Sequence, residues 1–301
     1  IDLLHSHLYH ANYIGRLAAK KLGIPCVVSI QNTYNNPKLH RRMLNWWLSR
    51  RHTAAIIAGS GQIREDIIRY DHVRPELVEV IPNSVDLSRS ESSLNHKDAR
   101  VRLGLDGNAF ILGSIGRLEE QKGHRFLLDS MNQLRSQGLN VVLLLIGAGR
   151  EELALNEQAK RLNLGDSVRF LGMRDDLGDL FKAMDLFVMP SLWEGLSLAM
   201  LSAMAAGLAV VATDVGGVRE VLGENQRGFF VQPRDPDCLT DQIKWCYSHP
   251  EVTSEVAKSG SNYVRENFSD NAMVGRLESI YQRILKSNLI IPYLYSQNLK
   301  S

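Results

Sequence analysis

The stretch "SLWEGLSLAMLSAMAAGLAVVATDVGG", Ser191 to Gly217, decides the fold, because its eighteen uncharged residues from Leu196 to Thr213 can be read as a membrane span or as two buried elements. A spanning helix needs about 20 predominantly apolar residues. This run falls short of that, carries Ser197 and Ser202, and breaks at Gly207. Two elements fit better. "LSLAMLSAMAA" consists of helix formers with small residues at Ala199, Ala203 and Ala206, which let a helix lie close on a sheet, and Gly207 is a good C-terminal stop. "LAVVAT" is then a short strand buried on both faces, as parallel strands are.

Outward from this stretch the same strand-then-helix grammar recurs. "CVVSI", "AAIIAG", "VEVIP", "FILGSIG", "VVLLLIG", "VRFLG" and "LFVMP" are short apolar runs bounded by Gly, Pro, Asn or Ser. Segments of helical period lie between them: one face carries Phe126, Leu127, Met131 and Leu134, another Leu153, Ala159 and Leu162. Alternating βα units predict a mostly parallel sheet covered by helices. The polar, serine-rich segment after "VIPNSVD" lacks a strand and divides the chain. Residues 1–86 read as one α/β unit, 87–98 as a linker and 99–265 as a second unit. The first unit offers two or three strands. Its opening strand, Asp2 to His5, would have an unpaired edge of the kind proteins avoid, so further chain is expected to cover it. The start has no initiator methionine, basic n-region or cleavage site, and reads as a fragment.

A chain of 301 residues suits two domains, and 44% hydrophobic with 23% charged residues excludes disorder and fibre. Lysine plus arginine number 35 against 33 acidic residues, so no bulk basic field demands nucleic acid, although Arg41-Arg42 and Arg50-Arg51 are local clusters. Cys26, Cys238 and Cys246 form no C-x-x-C pair and lack zinc spacing, which fits a reducing, cytosolic compartment. No metal constellation is present in the sequence: Asp175-Asp176 reads as an exposed helix-start pair, and the histidines of "HSHLYH" lack a ligand set.

"GSIGRLEEQKGH" delivers Arg117 from a glycine-bearing strand end and, a short loop later, Lys122 and Gly123 into a helix. The carboxyl edge of an open α/β sheet is where ligands bind. Arginine suits bidentate contact with phosphate oxygens, lysine supplies a point charge, and a helix N-terminus adds amides, so the group would hold a diphosphate. A solvated surface pair is the plainer alternative. "WEGLS" places Glu194 before a helix whose first amides are expected from Gly195, Leu196 and Ser197, so that the backbone could approach an anion while the carboxylate accepts sugar hydroxyls. Glutamate is also favoured at such a position by the helix dipole alone. "LLLIGAGREE" offers Gly147 and Gly149, but a third glycine of G-x-G-x-x-G would fall on Glu152, which argues against an NAD enzyme.

These residues carry a resemblance. "GRLEEQKG" with Arg117, Lys122 and Gly123, "VRFLG" at 168–172, "DLFVMPSLWEGLSLAMLSAMAAG" at 185–207 and "VVATDVGGVREVL" at 210–222 resemble the carboxy-terminal domain of the retaining GT-B glycosyltransferases of family 4, also called group 1. "DLLHSH", "AAIIAGS" and "VEVIPNSVD" resemble the later part of its amino-terminal domain. The implied fold is α/β, GT-B, with two Rossmann-like doubly wound domains, the first incomplete. The implied reaction moves a sugar from a nucleotide-sugar donor to a glycan or lipid-linked acceptor hydroxyl, with retained configuration, in the cleft between the domains. By analogy Gly116 borders the donor, Arg117 and Lys122 stabilise the leaving diphosphate, Glu194 contacts the donor sugar with Gly195, Leu196 and Ser197 beside it, and the base sits near Leu171, Gly172 and Met173. No metal or other cofactor is implied, because the cations and helix ends stand in for it.

Two positions depart from the family pattern. Ser202 stands where the second glutamate of E-x7-E usually holds the ribose, and Gln31 in "VVSIQNTY" stands where many members carry a histidine. His7 is then the remaining amino-domain candidate, with a purely structural histidine as the alternative. The segment "NFSDNAMVGRLESIYQRILK" resembles the family's terminal helix, expected over 266–286, which crosses back to the first domain on a face of Phe268, Leu277, Ile280, Tyr281 and Ile284; 287–301 is a tail. The sequence thus predicts a cytoplasmic glycosyltransferase of bacterial polysaccharide or glycoconjugate synthesis. Peripheral membrane association through the missing start is part of that expectation. A non-catalytic nucleotide-sugar-binding scaffold and a GT-B sugar-nucleotide epimerase are the alternatives.

Overall fold

A computed structural model of the chain describes residues 1–31 and 39–297, with the side chains of residues 40–41 and 288–297 left aside. The chain divides into two compact units, Ile1–Asn83 with Asp270–Ser301, and Ser84–Ser269.

The first unit runs β1 (Leu4–His7), α1 (Tyr9–Leu22), β2 (Cys26–Ile30), α2 (Leu39–Arg51), β3 (Ala55–Ala58), α3 (Gly61–Asp71) and β4 (Val78–Val80). Its four strands form a parallel sheet in the order β1-β2-β3-β4, one strand more than the sequence patterning offered, and β1 lies at an edge. Alternation along the strands sends Val28, Ile56 and Ala58 against Ala19 of α1 and Ile63 and Ile67 of α3. Local chemistry fixes the helix ends: Gly23 ends α1 at φ 70°, and the Ser60 hydroxyl accepts the Ile63 amide at the start of α3.

The second unit contains α4 (His96–Arg102), β5 (Phe110–Ile115), α5 (His124–Ser136), β6 (Val141–Ile146), α6 (Glu152–Arg161), β7 (Val168–Gly172), α7 (Leu177–Ala183), β8 (Leu186–Met189), α8 (Leu198–Ala205), β9 (Ala209–Thr213), α9 (Val218–Leu222), β10 (Phe229–Val231), α10 (Pro236–Ser248) and α11 (Pro250–Asn267). Its six parallel strands are ordered β10-β9-β8-β5-β6-β7. The chain therefore builds outward from β5 to β7, returns to place β8 beside β5, and builds outward the other way. One face of the sheet packs Ile111, Leu144, Phe187 and Val210, the other Leu112, Leu143, Val188 and Val211, so both are covered, as the uncharged run predicts. That run is α8 followed by β9, and among the described residues no helix is long and apolar enough to cross a membrane.

Several expectations change. Residues 87–98 are not a free linker. Leu87–Ser90 forms a turn of 3-10 helix, Leu87 and Leu94 pack on the second core, and Ser92 Oγ donates to Asp179 Oδ1 at 2.5 Å. On α5, Leu128 is buried with Leu127, Met131 and Leu134 while Phe126 is only half-buried, and on α6 it is Leu155 that is buried, with Leu153 exposed. Phe268 belongs to the second core, not to the terminal helix. That helix, α12 (Asp270–Gln297), extends past 286 into the segment read as a tail, whose last residues, 298–301, lie outside the described ones. Ile280 and Ile284 of α12 pack with Val27, Ala55 and Ile57 on the face of the first sheet opposite α1 and α3.

Candidate functional site

Where strand order reverses, the loops after two neighbouring strands part and leave a crevice at the carboxyl edge. In the second unit this point lies between β5 and β8, which are hydrogen-bonded neighbours. The loop after β5 carries Gly116, Arg117 and Lys122; the loop after β8 carries Ser191 to Ser197. Residues 72 positions apart are thereby brought together: Lys122 Nζ donates to Glu194 Oε1, and Ser191 Oγ donates to the same oxygen at 3.3 Å.

The two loops are stitched by one backbone bond and one side-chain bond. Leu192 N donates to Gln121 O at 2.7 Å, and Gln121 Nε2 to Trp193 O at 3.0 Å. Arg117 is exposed and its Nη2 donates to Gln121 Oε1 at 3.2 Å, so its guanidinium is held loosely and most of its donors remain for a ligand. Lys122 and Glu194 are nearly buried, with side chains 15% and 9% exposed. No hydrogen bond from a described residue ends on Glu194 Oε2, and an ammonium has three donors, so each partner keeps capacity for a bound molecule.

Glycines make this approach possible. A Cβ on Gly123, where φ is +63°, would stand 2.1 Å from Pro190 O, and one on Gly216, where φ is +56°, would stand 1.9 Å from Glu194 O. Gly147 and Gly149, weighed as a fragment of a dinucleotide fingerprint, serve packing instead: Cβ atoms there would meet Gly116 O at 1.9 Å and Leu118 O at 2.3 Å. His124, the first residue of α5, is buried with no partner on Nδ1, and burial, with the nearby Lys122 charge, pushes its pKa down to about 3.

The helix after Glu194 begins one turn later than expected. Ser197 is the N-cap of α8, its Oγ accepting the Met200 amide at 3.4 Å, so Gly195 and Leu196 form the approach and the free helix amides start at Leu198. Ser202 lies five residues past that cap, about 7.5 Å along the axis, and is half-buried. Leu171 and Gly172 end β7 and Met173 follows it, two strands from β5 and so about 10 Å away; Gly172 O accepts from Gly147 N at 2.8 Å, and Met173 is exposed.

His7 and Gln31 belong to the first unit. His7 ends β1, is exposed, and its ring lies 4.2 Å from that of His5. His5 is committed to structure: Nδ1 meets Tyr281 Oη at 2.5 Å and Nε2 meets Ser29 Oγ at 2.8 Å, and burial followed by the His7 charge lowers its pKa to about 4. Leu8, next to His7, has φ 72°, a conformation that costs a non-glycine residue roughly 1–3 kcal/mol and turns the chain sharply into α1. Gln31 Oε1 accepts from Asn83 Nδ2 at 2.9 Å. Among the described residues, no group of three or more His, Cys, Asp or Glu side chains could hold a metal ion. The Asp175-Asp176 pair is not simply solvated, because Arg174 donates to both oxygens of Asp176, at 2.8 and 2.6 Å, and holds that carboxyl below its usual range.

Sequence reasoning singled out Arg117, Lys122 and Glu194, which the structure places on the loops after β5 and β8, but not Ser191, Gln121 or the lysine–glutamate pairing. Their only signal was the strand order, which no local motif carries.

Comparison with known proteins gives these features a setting. The family described as "Glycosyl transferases group 1" matches residues 95–263, and "Glycosyltransferase Family 4" matches residues 1–89. A UDP-Gal:alpha-D-GlcNAc-diphosphoundecaprenol alpha-1,3-galactosyltransferase of Escherichia coli is 28% identical over 93% of this chain and 75% of its own. A D-inositol 3-phosphate glycosyltransferase of Streptomyces scabiei is 31% identical over 93% and 67%. Among solved structures, Anabaena HepE in complex with UDP superposes with a TM-score of 0.85 at 26% identity, covering 95% of this chain and 78% of that one. Sucrose-phosphate synthase of Thermosynechococcus elongatus shares the fold with a TM-score of 0.84 at 22% identity, over 95% and 74%.

Proposed function

This chain belongs to the group 1 glycosyltransferases, and from that premise we propose that its second unit binds a nucleoside-diphosphate sugar whose diphosphate meets Arg117 and Lys122 and whose sugar meets Glu194. The observation that carries the reading is the pairing of Lys122 with Glu194 at the switch point between β5 and β8, with Arg117 exposed on the same loop after β5 and bound to Gln121. The UDP bound to the Anabaena relative and the UDP-Gal named for the E. coli relative support a uridine nucleotide as donor.

In the proposed reaction the bond between the anomeric carbon and the diphosphate oxygen breaks, the diphosphate leaves with an added negative charge, and the acceptor oxygen bonds to that carbon and gives up its proton. Arg117 and Lys122 are the groups aimed at the developing charge. A fixed donor of this kind is worth about 3 kcal/mol when removed from an oxyanion site. Lys122 stays paired with Glu194, so one ion pair would link the diphosphate to the sugar hydroxyls. The nucleoside would extend toward Gly172 and Met173, with Ser202 as a hydroxyl partner for the ribose, and these cations would do their work without a metal ion. His7 is proposed as the amino-domain contribution.

The resemblance carries the retaining outcome, which accords with the alpha linkage named for the E. coli relative. A hexosyl donor, a glycan or lipid-linked acceptor and a role in bacterial polysaccharide synthesis follow the same relative. A reducing, cytoplasmic site of action fits three free cysteines. The test is nucleotide release from UDP-sugars with and without a polyprenol-diphosphate-sugar acceptor. Acceptor-dependent release supports the transferase. Saturable donor binding with no turnover under any acceptor would instead make the protein a nucleotide-sugar-binding scaffold.

A further inference from the structure

The two cations of the site are held in different ways. Lys122 is nearly buried against Glu194, whereas Arg117 is exposed and meets one described partner, Gln121, whose Oε1 accepts from Arg117 Nη2 at 3.2 Å. Among the described residues no carboxylate pairs with that guanidinium, although Glu119 and Glu120 follow it on the same loop. Its charge is left for a ligand, and its direction depends on Gln121.

The amide of Gln121 can face only one way. Nε2 donates to Trp193 O at 3.0 Å, and because a carbonyl accepts but cannot donate, the amide nitrogen belongs there and Oε1 faces the arginine. Trp193 O is itself part of a fixed frame. Leu192 N donates to Gln121 O at 2.7 Å, Thr213 Oγ1 at the end of β9 donates to Ser191 O, and Gly217 N donates to Gly195 O at 2.8 Å. The segment is therefore pinned on both sides of Trp193. Lys122, the next residue, reaches the same segment at Glu194. Through residues 121 and 122 both cations take their positions from one loop.

A neutral acceptor has a consequence that a charged one would not. A glutamate of the same length would hold Arg117 more tightly, but it would offset the charge that a diphosphate needs and set a carboxylate against Trp193 O. We propose that Gln121 is a positioning residue, whose amide, hung on Trp193 O, aims the Arg117 guanidinium at the donor diphosphate without neutralising it. This rests on the placement of the diphosphate at Arg117 given above.

The test is calorimetric titration of UDP into the parent, Gln121→Met, Gln121→Glu, Arg117→Ala and Arg117→Ala with Gln121→Met. Methionine keeps the length of the side chain and loses both bonds, so the ligand itself must order the arginine, and UDP binding should weaken about 2- to 12-fold. Glutamate adds a charge beside the diphosphate, so binding should weaken about fivefold or more, by a factor that shrinks at raised salt. Without Arg117, Gln121→Met should change UDP affinity no further, whereas a loss that came from a disturbed Glu194 loop would persist. Should Gln121→Met melt early, Gln121→Glu, of nearly the same shape, carries the test through its salt dependence. The proposal is overturned if Gln121→Met binds UDP like the parent, if its loss is the same with and without Arg117, or if Gln121→Glu shows no loss that salt relieves. If Arg117→Ala itself binds UDP like the parent, the placement of the diphosphate fails and this proposal falls with it.

Discussion

Replacing Lys122 by alanine should destabilise the second unit far more than removing an exposed cation. Lys122 and Glu194 are 15% and 9% exposed, and the only other described partner of the carboxylate is Ser191. Alanine at 122 leaves a nearly buried carboxylate with a single hydroxyl donor. Breaking a buried pair in this way costs about 3–5 kcal/mol. For a unit spanning Ser84–Ser269, each kcal/mol shifts Tm by roughly 2–4 °C, so the loss should be about 6–20 °C. Replacing both charges, Lys122→Met with Glu194→Gln, removes the buried charge along with its partner and should restore most of the stability. The assay is a thermal melt of the parent, the two single variants and the double variant, read as a cycle. Additive losses, or a Lys122→Ala variant that melts with the parent, would refute the claim that the pair is buried and coupled. The practical consequence is that lost turnover in Lys122→Ala would mix stability with chemistry.

Acid should loosen the fold before ordinary acid denaturation sets in. His5 and His124 have folded pKa values of about 4 and about 3 against 6.5 when free, so they favour the neutral form. The unfolded chain binds more protons below 6.5, and this contribution is complete above pH 6.5 and lost as pH falls toward about 4 for His5 and about 3 for His124. Tm measured from pH 7.5 to 4.5 should fall, and His124→Leu, which removes a buried Nδ1 without a partner, should flatten the fall at little cost near neutrality. A fall of unchanged slope in that variant would remove His124 from the explanation. Ser202→Glu should tighten UDP binding by about tenfold, because a carboxylate accepts ribose hydroxyls more strongly than a serine does; unchanged or weaker binding by calorimetry would take Ser202 out of the ribose site.

How much of this was legible in the sequence depends on how local each feature is. "CVVSI" and "VRFLG" became strands with those bounds, and "LAVVAT" lost only its leucine, because β-branched runs between breakers need no distant information. The three residues of β10, Phe229–Val231, were too few to register, and their strand character comes from pairing with β9. Helix faces were blurred where a helix is covered on more than one side. Leu127 and Leu128 are adjacent and both buried, because α5 packs on the sheet and on α10. Serine-rich composition misled at 87–98, where Leu87 and Leu94 anchor a polar segment to the core. In the site, Arg117 could be picked out by its place after a strand end and Glu194 by its place before a helix, but the contact between Lys122 and Glu194 required β8 to lie beside β5. Likewise the glycines at 147, 149 and 216 gain their meaning only from the backbone that each one meets.

Arg117 gives the most direct test of the account. It is exposed and bound only to Gln121 among the described residues, so Arg117→Ala should leave melting unchanged. A hydrogen-bonded contact with a charged phosphate contributes about 1.5–3 kcal/mol, or roughly 10- to 150-fold in affinity. Calorimetric titration of UDP should therefore show one saturable site in the parent protein and a loss of that size in Arg117→Ala. Equal affinity in a variant of unchanged stability would contradict the placement of the donor diphosphate at the end of β5.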